Sequence, residues 1–140
     1  VELSISRIKH PNKKLDNHDG GLENYWRRNR YEFFREFSQS VMTAHHLNDV
    51  AEWWIFSSLH GESKLIPYKN NDVIRPFLLV DKEQIKSWAE RKNVKYIDDP
   101  SNCDTKFRRN LIRHEIMPNA LKINPGLLKV LRKKLIKAYK

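Results

Sequence analysis

Short apolar runs alternate along this chain with longer stretches whose apolar residues recur at helical spacing. Residues 40–44 and 73–79 have the length of strands buried on both faces, and residues 1–5 and 94–97 are shorter strand candidates. Helices are predicted in five further stretches: residues 22–37, 48–61, 81–93, 107–117 and 124–140. This alternation favours an α/β fold with a Rossmann-like parallel sheet and crossover helices.

Local signals indicate where the later helices begin and end. Asp81 and Gln84 have the spacing of a capping box, and Pro118 is expected to stop the helix before it. Asn124, followed directly by a proline, opens the last helix. The composition changes near this point, so we expect the sheet domain to end at residue 118 and a basic helical extension to cover 119–140.

The charge of the chain is strongly positive and unevenly distributed. Its 27 lysines and arginines exceed its 17 acidic residues by ten, and no acidic residue follows Glu115. This balance favours a polyanionic partner, nucleic acid ahead of a membrane, although charge alone fits a basic but unpartnered surface equally well. Cys103 is the single cysteine, which excludes an internal disulfide and points to a reducing compartment such as the cytoplasm. No apolar run has the length of a membrane span, so no membrane partner is expected.

Two histidines and two carboxylates follow the predicted strand 40–44. In an open parallel sheet, ligands bind beyond the carboxyl ends of the strands, where His45 and His46 lie. Asp49 could hold Mg²⁺ there, and a histidine could bind a nucleotide or its phosphates. The alternative is that Asp49 and Glu52 only complement the dipole of a helix capped by Asn48.

The first predicted helix carries arginines close to its apolar face. Arg30 lies beside the apolar face formed by Trp26 and Phe33, where an unpaired charge is costly. We therefore expect it either to meet a carboxylate or phosphate or to extend its head group to the edge of that face. Arg27 is expected to be solvated.

A second arginine pair occurs near the carboxyl end of the predicted sheet domain. Arg109 and Arg113 are four residues apart on a helix and repel each other slightly, so an anion between them would stabilise both. A solvated helix face is the alternative. Arg75 interrupts the predicted strand 73–79 and is expected to face a site rather than the core.

Taken in order, several of these segments match a known pattern. They are Arg27-x-x-Arg30-Tyr31, Thr43-Ala44-His45-His46-x-x-Asp49-x-Ala51-Glu52, Leu59-x-Gly61, Arg75-Pro76-x-Leu78 and Asp99-Pro100-Ser101-Asn102-x-Asp104-x-x-Phe107-x-Arg109-Asn110-x-x-Arg113. In this order they resemble the tRNA(Ile)-lysidine synthetases, which belong to the PP-loop ATP-pyrophosphatases. The resemblance implies an adenine nucleotide alpha hydrolase-like fold, with residues 1–118 as the later part of the catalytic domain.

The resemblance also implies a reaction and roles for the residues. The enzyme would be an ATP-dependent ligase that uses ATP and Mg²⁺ to adenylate the wobble cytidine at its C2 position in the anticodon of isoleucine tRNA. Free L-lysine then displaces AMP and forms a carbon–nitrogen bond. By this resemblance, the residues near ATP and cytidine are His45, His46, Asp49 and Glu52, with Asp49 as the metal ligand. Those that contact nucleotide, lysine or RNA phosphate are Arg27, Arg30, Arg75, Asp99, Asn102, Arg109, Asn110 and Arg113.

The chain departs from the family pattern in two places. Family members usually have Asp-Gln-x-Glu-Thr where this chain has Asp49-Val50-Ala51-Glu52-Trp53. Their phosphate loop, Ser-Gly-Gly-x-Asp-Ser, is only imitated by Asp19-Gly20-Gly21-Leu22-Glu23-Asn24, where a polar run precedes the glycines and an aspartate replaces the serine. We therefore expect the true loop before Val1 or on a separate polypeptide.

Two other hypotheses about the function stay open at this point, and so does the assembly state. A degenerate relative would only bind RNA through its arginines and basic tail. A tRNA thiolase is disfavoured because Cys103 has no second cysteine to work with. Assembly is also undetermined, and a homodimer is one candidate.

Overall fold

The computed structural model describes residues 4–5, 7–9, 11, 21–37, 39–97 and 99–139. The chain divides into two compact units, Val1–Val41 and Met42–Lys140. The predicted strand at 1–5 and the loop before the first helix lie largely outside the described residues, as do Asp19, Gly20 and Asp98.

The first unit contains one long helix, α1, over Gly21–Arg35. This confirms the helix predicted over 22–37 to within two residues at its end. The helix starts at Gly21, whose φ of +61° lies in the left-handed region that glycine adopts without strain. Aromatic residues pack along it: the rings of Phe33 and Phe37 meet edge to face with centroids 5.1 Å apart.

The sheet is small. Strands β1 (Val41–Met42), β2 (Lys69–Asn70) and β3 (Val73–Ile74) are ordered β1-β3-β2. β2 and β3 are antiparallel, with Lys69 opposite Ile74, and Asn71 takes the positive φ (50°) that such a short hairpin turn requires.

Several strand predictions were wrong in extent or in kind. The run 40–44 is not buried on both faces, since Met42 is 73% exposed. The strand predicted over 73–79 ends at Ile74, because Pro76 has no N–H to continue the ladder and turns follow it. Residues 94–97 form no strand, and Ile97 is 94% exposed. The described residues therefore do not confirm the Rossmann-like parallel sheet that the alternation predicted.

The helices of the second unit agree better with the predictions from the sequence than the strands do. They are α2 (Leu47–Leu59), α3 (Lys82–Arg91), α4 (Arg108–Leu111), α5 (Met117–Ile123) and α6 (Leu127–Ala138), with a 3₁₀ turn at Pro100–Cys103. The capping box of α3 is confirmed, because the Gln84 N–H donates to Asp81 Oδ1 over 2.9 Å and the Asp81 N–H donates to Gln84 Oε1 over 3.2 Å.

Pro118 does not stop the helix that contains it, contrary to our prediction. A π-helical turn, Ile112–Ile116, joins α4 to α5, and its wider ring is closed by a hydrogen bond from the Met117 N–H to the Ile112 carbonyl. Pro118 then occupies the first turn of α5, the part of a helix in which proline is best tolerated. The arginine-bearing segment and the following helix therefore form one continuous rod.

The hydrophobic core of the second unit lies between α2, α6 and the π turn. Leu47, Val50 and Ala51 of α2 are fully buried and pack with Leu131 and Leu135 of α6. Burial of a leucine side chain stabilises the fold by about 2 kcal/mol, so these contacts hold α2 in place. Among the described helices, none is both long and apolar enough to cross a membrane.

Candidate functional site

The candidate site includes the first turn of α2. His46 is the N-cap residue, and its backbone N–H donates to Asp49 Oδ2 over 2.8 Å. Asn48 was predicted to be the cap, but its Oδ1 instead accepts from the Lys82 N–H over 2.8 Å and links α2 to α3. The carboxylate of Asp49, in the first turn of α2, also complements the positive end of the helix dipole.

Two buried carboxylates of α2 meet the two arginines of the later helix. Asp49 is 6% exposed and Glu52 is 4% exposed. Arg109 Nε donates to Glu52 Oε2 over 2.9 Å, and a second nitrogen of Arg109 donates to Asp49 Oδ1. Arg113 donates to both oxygens of Glu52, from Nε over 2.7 Å and from Nη2 over 3.1 Å. We call Asp49, Glu52, Arg109 and Arg113 the carboxylate–arginine cluster.

The cluster is electrically balanced. Two carboxylates without partners would be costly at this depth, and the two guanidinium groups offset that cost with charge-assisted hydrogen bonds. Burial alone lowers the pKa of Arg109, but the charge of Asp49 and the bonds to Glu52 outweigh burial and raise the pKa above its usual value. The anion predicted between Arg109 and Arg113 is thus a carboxylate of the protein itself.

His46 lies against the same cluster. Burial lowers its pKa below the ordinary value of 6.5, and the nearby carboxylates of Asp49 and Glu52 only partly oppose this. Its Nδ1 is 3.4 Å from Asp49 Oδ2. The imidazole is therefore neutral at pH 7, which leaves the two arginines as the cations of the cluster.

The π turn also fixes the loop that precedes α4. His114 Nε2 donates to the Asn102 carbonyl over 2.7 Å, and Arg113 Nη1 reaches Asn102 Oδ1 at 3.5 Å. Asn110 is buried and donates from Nδ2 to the Asp104 carbonyl over 2.9 Å. Sequence reasoning missed His114, since its only signal was its position beside Arg113.

The other predicted site residues lie in different settings. His45 Nδ1 is 2.8 Å from Thr43 Oγ1. Arg75 is buried and donates from Nη1 to the Pro67 carbonyl over 2.9 Å. Asp99 is exposed, and its carbonyl accepts from the Asn102 N–H over 3.0 Å.

The α1 arginines belong to the first unit, and among the residues that the structure describes they make no such cluster. Arg30 is exposed, and within the described ranges it has no carboxylate partner. The Arg27 guanidinium lies over the ring of Tyr31, 5.4 Å from its centroid.

A resident metal at Asp49 does not fit this geometry. Asp49 Oδ2 accepts from the His46 backbone, and Oδ1 accepts from Arg109 and is 3.7 Å from Arg113 Nη2. Both oxygens are thus engaged, and two guanidinium groups beside them would repel a cation. In the part of the chain that the structure describes, no group of three His, Cys, Asp or Glu side chains is arranged to hold a metal.

The cluster does leave one group open to solvent. The side chain of Arg109 is 41% exposed, although its Nε and Nη2 face the carboxylates. A guanidinium that is fixed by carboxylates, on a side chain that is partly exposed, can bind a further anion.

Comparisons with known proteins bear on this arrangement. A family model described as the PP-loop domain matches residues 1–120. A protein of Persephonella marina named tRNA(Ile)-lysidine synthase is 39% identical over 114 residues, which are 76% of this chain and 25% of the relative. Proteins of the same name from Thermosipho africanus and Lactiplantibacillus plantarum are 35% identical over 113 residues and 34% identical over 122 residues; the matches cover 74% and 78% of this chain and 26% and 27% of the relatives. The chain therefore spans about a quarter of the length of these curated relatives.

Proposed function

The chain belongs to the PP-loop domain family, and on that premise we propose that it works as part of a tRNA(Ile)-lysidine synthase-like enzyme. Such an enzyme is an ATP-dependent ligase with isoleucine tRNA, ATP and L-lysine as substrates. The curated relatives with this name support the proposal. Family membership carries the α/β fold of the adenine nucleotide alpha hydrolases, and a full parallel sheet is part of what we propose.

The carboxylate–arginine cluster is the observation that carries the proposal. It joins the two sequence segments on which the resemblance chiefly rests, through hydrogen bonds between residues 57 and 61 positions apart in the chain. Bonds at this separation require the two segments to be adjacent in the fold. A shared site at this point is what a two-segment motif would need.

We assign the following roles within the reaction. Adenylation of the cytidine releases pyrophosphate, so negative charge must be stabilised while ATP is cleaved. Arg109 would meet a phosphate or the carboxylate of lysine, while Glu52 holds Arg109 and Arg113 in position. Asn102, fixed by Arg113 and His114, would border the lysine or RNA. Mg²⁺, when bound with the ATP phosphates, supplies further charge neutralisation, and Asp49 is not assigned as its ligand.

The proposal also requires a phosphate-binding segment. Ser-Gly-Gly-x-Asp-Ser does not occur in these 140 residues, so this loop must come from another part of the polypeptide or from a separate one. Binding at the anticodon of tRNA and a cytoplasmic location are parts of the same proposal.

Incorporation of labelled lysine tests this function. The complete product of the reading frame is incubated with ATP, Mg²⁺, labelled lysine and an isoleucine tRNA that carries a wobble cytidine. We expect label in the tRNA and release of pyrophosphate, and neither with a matched tRNA that carries uridine at that position. Release of pyrophosphate without label in the tRNA would contradict the choice of lysine, and absence of both would contradict the ligase assignment.

A second candidate is a relative that binds RNA without catalysis. The observation that favours it is a row of exposed lysines along α6: Lys129, Lys133 and Lys137 are spaced four residues apart and have no acidic neighbour on that helix. This candidate predicts tRNA binding that weakens steeply with salt and does not depend on ATP. Salt-dependent binding with no lysine incorporation would favour it over the ligase.

A further inference from the structure

A ladder of three aromatic rings lies on α2, one helical turn beyond the buried carboxylates. The rings of Trp53 and Phe56 are stacked at 5.6 Å between centroids and 23° between planes. The Phe56 ring and the His60 ring follow at 4.4 Å and 34°. We call Trp53, Phe56 and His60 the aromatic ladder.

The ladder is anchored at its centre and open at its ends. Phe56 packs against the hydrophobic core, whereas Trp53 is 39% exposed and His60 is exposed. His60 Nδ1 donates to the Phe56 carbonyl over 2.7 Å, which fixes the ring. The Trp53 and Phe56 rings are stacked and the His60 ring is tilted against Phe56, so the exposed Trp53 offers the stacking face for a further flat ring.

The ladder continues the stripe of α2 that carries the carboxylate–arginine cluster. Trp53 lies four residues after Asp49, and Phe56 lies four residues after Glu52, so each pair shares a face of the helix. The side chain of Arg109, which is 41% exposed, is bound to Asp49 and Glu52 of that same stripe. An aromatic stack and a fixed cation held on one stripe of a helix match the two parts of a nucleotide, its base and its phosphate.

We propose that the aromatic ladder binds an unpaired base of an RNA loop, stacked on the open end at Trp53, with the adjoining phosphate directed toward Arg109. The net charge of +10 favours an RNA occupant over a neutral or basic protein surface. The ladder depends on Trp53, which stands where the family pattern usually has threonine, so it is a property of this chain rather than of the motif. The proposal rests on the proposed function only in taking RNA as the partner.

Binding of two RNA probes tests the ladder without ATP or lysine. One probe is a hairpin with a single-stranded loop, and the other is the same stem closed into a continuous duplex. We expect Trp53→Ala to weaken hairpin binding roughly tenfold, as loss of one base stack does, and to leave duplex binding nearly unchanged. Trp53→Phe keeps a ring at this position and should restore most of the affinity.

Trp88→Ala is the matched control. Trp88 is also an exposed tryptophan, at 53%, but lies on α3 rather than on α2. Its replacement should leave hairpin binding unchanged. Circular dichroism checks that each variant keeps its helices, and Trp53→Phe keeps the test decisive if Trp53→Ala does not fold.

Several results would overturn the proposal. They are hairpin binding no weaker in Trp53→Ala than in the parent, equal loss in Trp88→Ala, or equal preference for duplex and hairpin. A change in self-association with unchanged RNA binding would instead make the ladder a protein contact. Failure of lysine incorporation with Trp53-dependent hairpin binding would remove the ligase and leave the ladder in place.

Discussion

Two arginine pairs in this chain look alike in sequence and end in opposite environments. Arg27 and Arg30 lie three residues apart on α1, and Arg109 and Arg113 lie four apart on the rod formed by α4 and the π turn. The first pair is exposed, and Arg27 contacts a tyrosine ring. The second pair holds Glu52, whose side chain is 5% exposed.

The two pairs differ because Arg109 and Arg113 meet carboxylates that another segment of the chain supplies. Asp49 and Glu52 come from a helix that is fixed by the core between α2 and α6. They meet Arg109 and Arg113 because the π turn and α2 also pack together in that core. An arginine pattern therefore indicates an anion partner only where a second element supplies or positions one.

The largest expected effect is on Glu52. Glu52→Gln removes the charge that both arginines share and leaves a buried amide beside two guanidinium groups. We expect the free energy of unfolding to fall by about 2–3 kcal/mol, below the range for fully buried pairs because Arg109 is partly exposed. Urea denaturation followed by tryptophan fluorescence measures this change.

The control for that prediction lies on α1. Glu32 is exposed, and Glu32→Gln makes the same chemical change without a buried partner. Its effect should stay within about 0.5 kcal/mol. Equal effects of the two substitutions would show that the buried cluster does not stabilise the fold and would remove the contrast between the two regions.

The next effect concerns the geometry of the guanidinium group. Arg113→Lys keeps the charge but cannot contact both oxygens of Glu52 as the planar fork does. We expect a loss of about 1–2 kcal/mol in the same urea measurement. Arg30→Lys, the matched change on α1, should have almost no effect. If neither Arg113→Lys nor Arg30→Lys changes the free energy of unfolding, the positive charge alone, without the planar fork, would explain how the cluster stabilises the fold.

The helices and the residues of the cluster could be predicted from the sequence, whereas their pairing could not. The capping box at Asp81 and the helix predicted over 22–37 rest on local signals, and both were confirmed. The need for an anion between Arg109 and Arg113 followed from their spacing. That Glu52 supplies it depends on packing between segments 57–61 residues apart, which no local pattern encodes.

The strands and the π turn were harder for a related reason. Apolar runs such as 73–79 indicate burial, but Pro76 limited the strand to two residues. Pro118 was expected to break a helix because its ring excludes regular α-helical bonding to the preceding turn. The π turn accommodates the ring by widening the hydrogen-bonded turn before it, and no spacing rule in the sequence announces such a turn.

A pH dependence follows from His46, whose folded pKa lies below 6.5. As the pH falls through 6.5, the unfolded chain binds a proton before the folded one, so stability is lost on acidification and is fully present above this value. The slope contributed by this group is at most about 1.4 kcal/mol per pH unit. Urea denaturation at several pH values should show a smaller slope for His46→Asn than for the parent. An unchanged slope would place the cause of any acid sensitivity elsewhere.

The smallest effect tests whether the exposed pair has any stabilising contact at all. Arg27 lies over the Tyr31 ring in solvent, where a cation–π contact contributes about 0.5 kcal/mol. A double-mutant cycle of Arg27→Gln and Tyr31→Leu should therefore give a coupling of this size, while the cycle of Arg28→Gln and Tyr31→Leu should give none. Arg28 is also exposed on the same helix and lies three residues before Tyr31, so it serves as the control for a positive charge near the ring. A coupling as large as that between Arg113 and Glu52 would mean that α1 holds its arginine as firmly as the buried cluster does. The two regions would then differ in the kind of contact that the arginine makes, and burial would not explain a difference in its strength.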